Sequence, residues 1–339
     1  MGRNGSSIAA GNSFIDGQGL PFYDAGMILM KRLFAATLLP ASLTLAGLFA
    51  PTSGFAQQHH PTPQPVERVP LDRVATPALW KVADADTTIY LFGTIHLLPA
   101  GIDWYHGKLS MAFDQAGELV TEIPAEPDSA APALLAQHGV LPPGESLRAL
   151  LPDTERAKYT AALAGLGLPA AAFDRYKPWY AAVVLATLPL AREGFDPSHG
   201  VEAELTERNT ALHRPRSGLE TLEFQLSLFD QFPAAVQKQY LLEVIDALPT
   251  LKQDIGAMID AWANGDAARL AELMNSEEDS PAMKEALITN RNRAWAAWIR
   301  QRLARPGVVF VAVGAGHLGG TGSVQDQLAR AGITSQRVQ

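Results

Sequence analysis

An α/β fold is predicted, with a central mixed sheet built from both chain ends and a large helical insertion between them. Three observations predict it. Near the start of the folded part, LWKVADADTTIYLFGTIH gives two extended runs around a DAD turn. Near the end, VVFVAVGAGHLGG is apolar at every position from Val308 to Val313, as expected for a strand covered on both faces. Between them, from about 130 to 275, Pro and Gly separate runs of helical periodicity.

The first 68 residues are expected to stand apart from this fold. Residues 30–56, beginning MKRLFAATLLPASLTLAGLFA, carry two cations, an apolar run and then small residues, the layout of a secretory signal peptide. Pro40 interrupts the run, and it is short for a membrane span. Residues 1–29 are then an upstream extension and 57–68 a polar, Pro-rich linker. A periplasmic or secreted location follows, with no stable span after cleavage. A single domain is expected over 69–339.

Within that domain the first strand pair leads to Gly93, and a helix over 104–116 leads to ELVTEI, a short strand carrying Glu122. DTERAKYTAALAGL, PWYAAVVLATLPLAR, HGVEAELTERNTAL, LETLEFQLSLFDQF and AAVQKQYLLEVIDAL read as helices, and a strand pair can hide around RPRSGLE. ITNRNRAWAAWIRQRLARPG is an amphipathic helix stopped at Pro306 and Gly307, ahead of the apolar strand. SVQDQLARAG makes a last helix and ITSQRV a last strand.

Composition removes whole classes of function. The chain has 339 residues, a net charge of −8 and no basic cluster interleaved with aromatics, so nucleic acid is not an expected partner. It has no Cys, which excludes disulfides, thiol nucleophiles and Cys-rich zinc modules. GxxxxGK[ST], HExxH and GxSxG are all absent. GAGHLG, residues 314–319, fits a dinucleotide fingerprint, but only twenty residues follow it and Asp326 is their one acid, so no βαβ unit completes it. His106, His138, His199 and His213 have no matched partners and are expected at the surface.

One internal echo remains. Gly93-Thr-Ile-His96 and Gly314-Ala-Gly-His317 each follow an apolar strand with the spacing Gly-x-x-His. If both strands share a sheet, the imidazoles meet at its carboxyl edge, where open α/β sheets bind ligands. With Glu122 they form a ligand set for Zn, Mn, Co or Fe(II) that leaves positions for water. The alternative is structural: two histidines bonding locally and a Glu paired with a cation. Spacing leaves both open.

LWKVADADTTIYLFGTIHLLPAG, ELVTEI, SGLETLEFQ, TNRNRAWAAWI and FVAVGAGHLGGTGSVQDQLARAGI resemble, in this order, the TraB/PrgY/gumN family, which includes the Tiki metalloproteases. The resemblance implies an α/β fold related to erythromycin esterase and haem-binding ChaN-like proteins. It also implies an active site of Gly-x-x-His motifs and a Glu, and metal-dependent peptide cleavage. Residue by residue it carries over to Gly93, His96, Glu122, Gly314 and His317, with Glu220 and Gln225 in the Leu-Glu-Thr block and Arg291 and Asn292 before the last long strand.

The expectation is a metal-dependent hydrolase, peptidase-like, acting on a peptide or other small substrate with Mn, Co or Zn. His96 and His317 hold the metal, with Glu122 as third ligand or general base, Glu220 in the other role, and Arg291 facing the oxyanion. Two alternatives stay open: a non-catalytic protein binding haem, metal or peptide, and a metal-free esterase with His96 as base.

Overall fold

The computed structural model describes residues 73–124, 130–274 and 281–339. The extension, signal peptide and linker expected over residues 1–68 lie outside the described residues.

The strands are β1 (Arg73–Val74), β2 (Leu79–Ala83), β3 (Thr87–Thr94), β4 (Leu98–Pro99), β5 (Ile102–Asp103), β6 (Glu118–Thr121), β7 (Phe195–Asp196), β8 (Arg216–Gly218), β9 (Gly307–Gly314) and β10 (Gln336–Arg337). The helices are α1 (Gly107–Gln115), α2 (Ala130–His138), α3 (Asp153–Gly165), α4 (Pro178–Arg192), α5 (Val201–Ala211), α6 (Leu222–Asp230), α7 (Ala234–Ala247), α8 (Leu251–Ala263), α9 (Ala267–Met274), α10 (Pro281–Lys284), α11 (Asn290–Leu303) and α12 (Val324–Arg330).

Six strands form the central sheet in the order β10-β2-β3-β9-β6-β8. The DAD turn closes the antiparallel β2–β3 hairpin, because the Asp84 carboxylate accepts from the backbone N–H of Asp86 and Thr87. From β3 onward all neighbours run parallel. The β3-α1-β6 crossover skips one position, and β9, from the far end of the chain, fills it. The sheet therefore joins both chain ends, as expected. Where a strand pair was expected around RPRSGLE, a single strand, β8, leaves the insertion and pairs with β6.

Alternation along the central strands sends side chains to two covered faces. Phe92, Phe310 and Leu119 pack with Phe113 of α1 and Ile259 of α8. Ile89, Leu91, Val309, Val311 and Val120 pack against Trp295 and Ile299 of α11 and Leu328 of α12. β9 is apolar throughout because both of its faces lie under helices. Each such large side chain buried contributes roughly 1.5–3 kcal/mol.

The insertion has its own core around α4. Trp179 through Ala186 are all buried there, against Tyr240 and Leu241 of α7, Phe229 of α6 and Tyr159 and Leu163 of α3. A helix apolar all round is one enclosed by others. His138, expected at the surface, is buried in this core. α2 docks onto α4 and α6, and His138 Nδ1 lies 3.1 Å from Asp230 while its carbonyl accepts from Trp179 Nε1. His106 also has a partner, the Ala75 carbonyl at 2.9 Å. Residues Ala315–Leu318 of GAGHLG form one 3-10 turn, and α12 starts only at Val324, so no helix opens on those glycines.

Candidate active site

Four parallel strands end together, and each delivers a polar residue just beyond its last ladder position. Thr94 of β3 stands opposite Gly314 of β9, and Thr121 of β6 opposite Ala312. His96 follows β3, His317 lies in the turn after β9, Glu122 follows β6 and Glu220 follows β8. Pairing continues past β6 and β8, where Glu220 N–H donates to the Glu122 carbonyl at 2.8 Å and so sets the two carboxylates side by side. That approach needs Gly218, where a Cβ would sit 2.4 Å from Pro124.

α11 supplies the cation. Arg291 and Trp295 share one helix face by their spacing of four, with Asn292 beside them. All five guanidinium N–H groups of Arg291 are engaged within the protein. Nε reaches Glu220 at 3.0 and 3.1 Å, and Nη2 reaches Glu122 at 2.7 Å and Glu220 at 2.8 Å. Nη1 reaches the Leu287 carbonyl and His317 Nε2, both at 3.1 Å. Leu287 belongs to a π-helical turn, Glu285–Thr289, that runs into α11.

The carboxylates are as fully engaged. Glu122 also accepts from Gln225 Nε2 at 2.9 Å and from the Gly314 N–H at 2.7 Å. Glu220 also accepts from Trp295 Nε1 at 2.9 Å and Gln225 Nε2 at 3.1 Å. Burial pulls the Arg291 pKa down, but Glu122 and Glu220 more than offset it and hold the guanidinium above its ordinary value.

The His317 tautomer follows from its neighbours. A guanidinium only donates, so Nε2 accepts from Arg291 and Nδ1 carries the proton, given to Asn292 Oδ1 at 2.6 Å. The Asn292 amide is oriented by Nδ2 donating to the Gly322 carbonyl at 2.8 Å. Burial, then Arg291, then His96 hold the His317 pKa well below 6.5, so the ring is neutral at physiological pH.

His96 sits in a different setting. Its Nδ1 lies 2.7 Å from Glu202 Oε1, and the Thr94 hydroxyl donates to the same oxygen. Glu202 is the second residue of α5, whose first N–H, on Val201, donates to the Ile95 carbonyl at 3.0 Å. Gly200 makes this approach possible, since a Cβ there would lie 2.2 Å from the His96 carbonyl oxygen. Burial pushes the Glu202 carboxyl up, but His96 and the Thr94 hydroxyl outweigh it and hold it below 4.5. The positive end of α5 acts in the same direction. The His96 side chain is 16% exposed, against 1% for Arg291 and 7% for Glu122 and Glu220, so of these groups His96 is the one a substrate can reach.

The structure brings Glu122, Glu220, Gln225, Arg291, Asn292 and His317 into one network, while His96 pairs with Glu202 and acts electrostatically on His317. Glu202 and Trp295 were not singled out in the sequence. A Glu in the first turn of a helix is common, and only the fold shows that this helix starts against the β3 turn.

A metal needs lone pairs that are not already committed. Here His317 Nε2 and Glu122 accept from Arg291, whose charge stands where a bound cation's would, and among the described residues no group of three His, Asp or Glu side chains is arranged to hold a metal ion. In this arrangement the residues do not fit the implied metal. For the oxyanion role expected of Arg291, its donors would have to leave the partners they have in this network.

A model of the TraB/PrgY/gumN family matches residues 78–337. A protein of Treponema pallidum (strain Nichols), described as uncharacterized, is 25% identical over 282 residues, which is 76% of this chain and 83% of that protein. YbaP of Escherichia coli (strain K12), also described as uncharacterized, is 25% identical over 163 residues, 48% of this chain and 60% of its own length. No solved structure matches the chain.

Proposed function

The chain belongs to the TraB/PrgY/gumN family, and from that premise we propose that it hydrolyses an acyl bond, in a peptide or an ester, with His96 as the general base. The observation that carries this reading is the His96–Glu202 pair at the carboxyl edge of the sheet. An imidazole that gives its Nδ1 proton to a carboxylate keeps its lone pair on Nε2 and is stabilised when it becomes charged. His96 takes a proton from water, the hydroxide adds to the carbonyl carbon, and the proton then passes to the leaving amine or alkoxide as its bond breaks. Glu202 orients the ring. The Arg291 network beneath fixes the strand ends from which the ring projects.

The metal-dependent peptidase reading rests on the family resemblance, since a cation would have to take His317 Nε2 and Glu122 from Arg291. The signal-like composition of residues 30–56 supports a periplasmic or secreted site of action.

A peptide library and a series of activated esters, each assayed with and without chelator, test the proposal. Chelator-resistant hydrolysis is expected, falling by about 10²–10⁴-fold in His96→Ala while the fold persists. Hydrolysis abolished by chelator and restored by Mn, Co or Zn would replace this reading with the metal-dependent one. No hydrolysis at all, with a haem Soret band on titration, would make the protein a binder.

A further inference from the structure

A second arginine reaches the carboxyl edge of the sheet, in a setting unlike that of Arg291. Arg216 of β8 pairs in register with Leu119 of β6, so its side chain leaves the sheet on the face that packs with Val201 and Leu205 of α5. It is partly buried and runs toward the strand ends, with Nε 3.3 Å from Thr121 Oγ1 and Nη2 3.5 Å from the Ile123 carbonyl. Both contacts are longer than any that the Arg291 guanidinium makes. They use one edge of the group, the one shared by Nε and Nη2. The fork at its end, made by Nη1 and the second N–H of Nη2, has no hydrogen-bond partner among the described residues.

Glu202, the carboxylate that holds His96, acts on Arg216 through space alone. Its Oε2 is buried with no hydrogen-bond partner. Burial therefore wins at Arg216 and holds its pKa below the ordinary value, whereas two carboxylates raise that of Arg291. A guanidinium still keeps its charge at physiological pH, and two parallel N–H groups match two oxygens in one plane. We infer that Arg216 binds a carboxylate of the substrate with this open fork, next to the carbonyl that His96 addresses. The bond cut is then one beside a carboxylate, supplied by the free C-terminus of a peptide or by an acidic side chain. The role in substrate selection rests on the hydrolase reading above; carboxylate binding does not.

Two measurements on the intact protein test this. With arginine side chains labelled by ¹⁵N and the ionic strength held constant with chloride, N-acetylglycine is expected to shift the Arg216 guanidinium signals saturably. Those of Arg291 stay in place, and N-acetylglycinamide moves neither. Arg216→Lys assigns the signals. In peptide hydrolysis, kcat/KM is expected to be about 10-fold or more higher for a free than for an amidated C-terminus, or for Glu than for Gln beside the scissile bond of capped peptides. The first pair identifies a C-terminus and the second a side chain as the source of the carboxylate. Arg216→Gln brings the ratio to about 1. Arg216 signals that stay in place or move equally with the amide, or an acid preference that survives in folded Arg216→Gln, would overturn the carboxylate site while leaving the hydrolase reading standing. Shifted Arg216 signals without hydrolysis of any peptide or ester would keep the carboxylate site and remove the hydrolase reading.

Discussion

Two turns of identical spacing leave neighbouring parallel strands, and they do opposite things with their histidines. The first puts His96 at a partly exposed position against the ionised Glu202 from α5. The second puts His317 under α11, neutral, with one ring nitrogen on Asn292 and the other on Arg291. The local motif places an imidazole at the sheet edge in both cases. The helix that covers each edge decides whether the ring can meet a substrate. On the proposed reading, chemistry and architecture are divided between two copies of one motif, and variants of the covering elements test that division.

The largest effect is expected from Arg291→Met. It leaves Glu122 and Glu220 side by side in the interior without their cation, and removing one partner from such a buried network costs about 3–5 kcal/mol. Urea unfolding should show the loss directly. A shift of under about 1 kcal/mol would mean that the network is not what holds the strand ends, and the architectural role of the second turn would fall.

Gly200→Ala should damage the first turn through geometry alone. Its Cβ would meet backbone, the His96 carbonyl oxygen at 2.2 Å, so α5 must shift and carry Glu202 with it. A displacement of about 1 Å can cost on the order of 10²-fold in kcat/KM, and activity should fall much further than Tm. Full activity in this variant would show that the Glu202 contact is dispensable.

The two turns should also separate in pH. His317 binds no proton in the fold until well below 6.5, whereas in the unfolded chain it protonates near 6.5. Its contribution to stability is therefore present above that pH and is lost as pH falls below it, with a slope approaching about 1.4 kcal/mol per pH unit. Glu202 has the same sign in a lower window, losing its contribution only as pH falls below 4.5 through its depressed folded value. His317→Gln should remove the upper slope from a pH series of urea midpoints and leave the lower one. The smallest effect is expected at Gly316→Ala, where the added methyl meets only the flexible end of Met274 and the cost is about 1 kcal/mol or less by thermal melt.

Much of this was legible in the sequence. The apolar run into Gly314, the hairpin into Gly93 and the strand into Glu122 follow from periodicity and turn residues, which act locally. The convergence of their ends follows from parallel pairing. The partners of the two histidines were harder to read. Glu202 lies about a hundred residues from His96 on a helix whose start looks ordinary, and nothing in its own segment says which turn it will touch. Arg291 and Glu220 could be named, but the saturation of the guanidinium depends on Glu122, Glu220 and His317 arriving together from three separate strand ends, with Leu287 one turn back on the same helical run. His138 was misread for a related reason: one His at the end of a helix carries no local sign that a second helix will cover it.

The central claim, that His317 belongs to the framework and His96 to the chemistry, is tested most directly by the ¹⁵N signals of the His317 ring with Co(II) added. The account predicts Nδ1 protonated, Nε2 unprotonated and unchanged by the metal, and no titration near the ordinary histidine value of 6.5. A paramagnetic shift at His317 Nε2 on adding one equivalent of Co(II) would contradict it, because that nitrogen would then have left Arg291 to bind a metal.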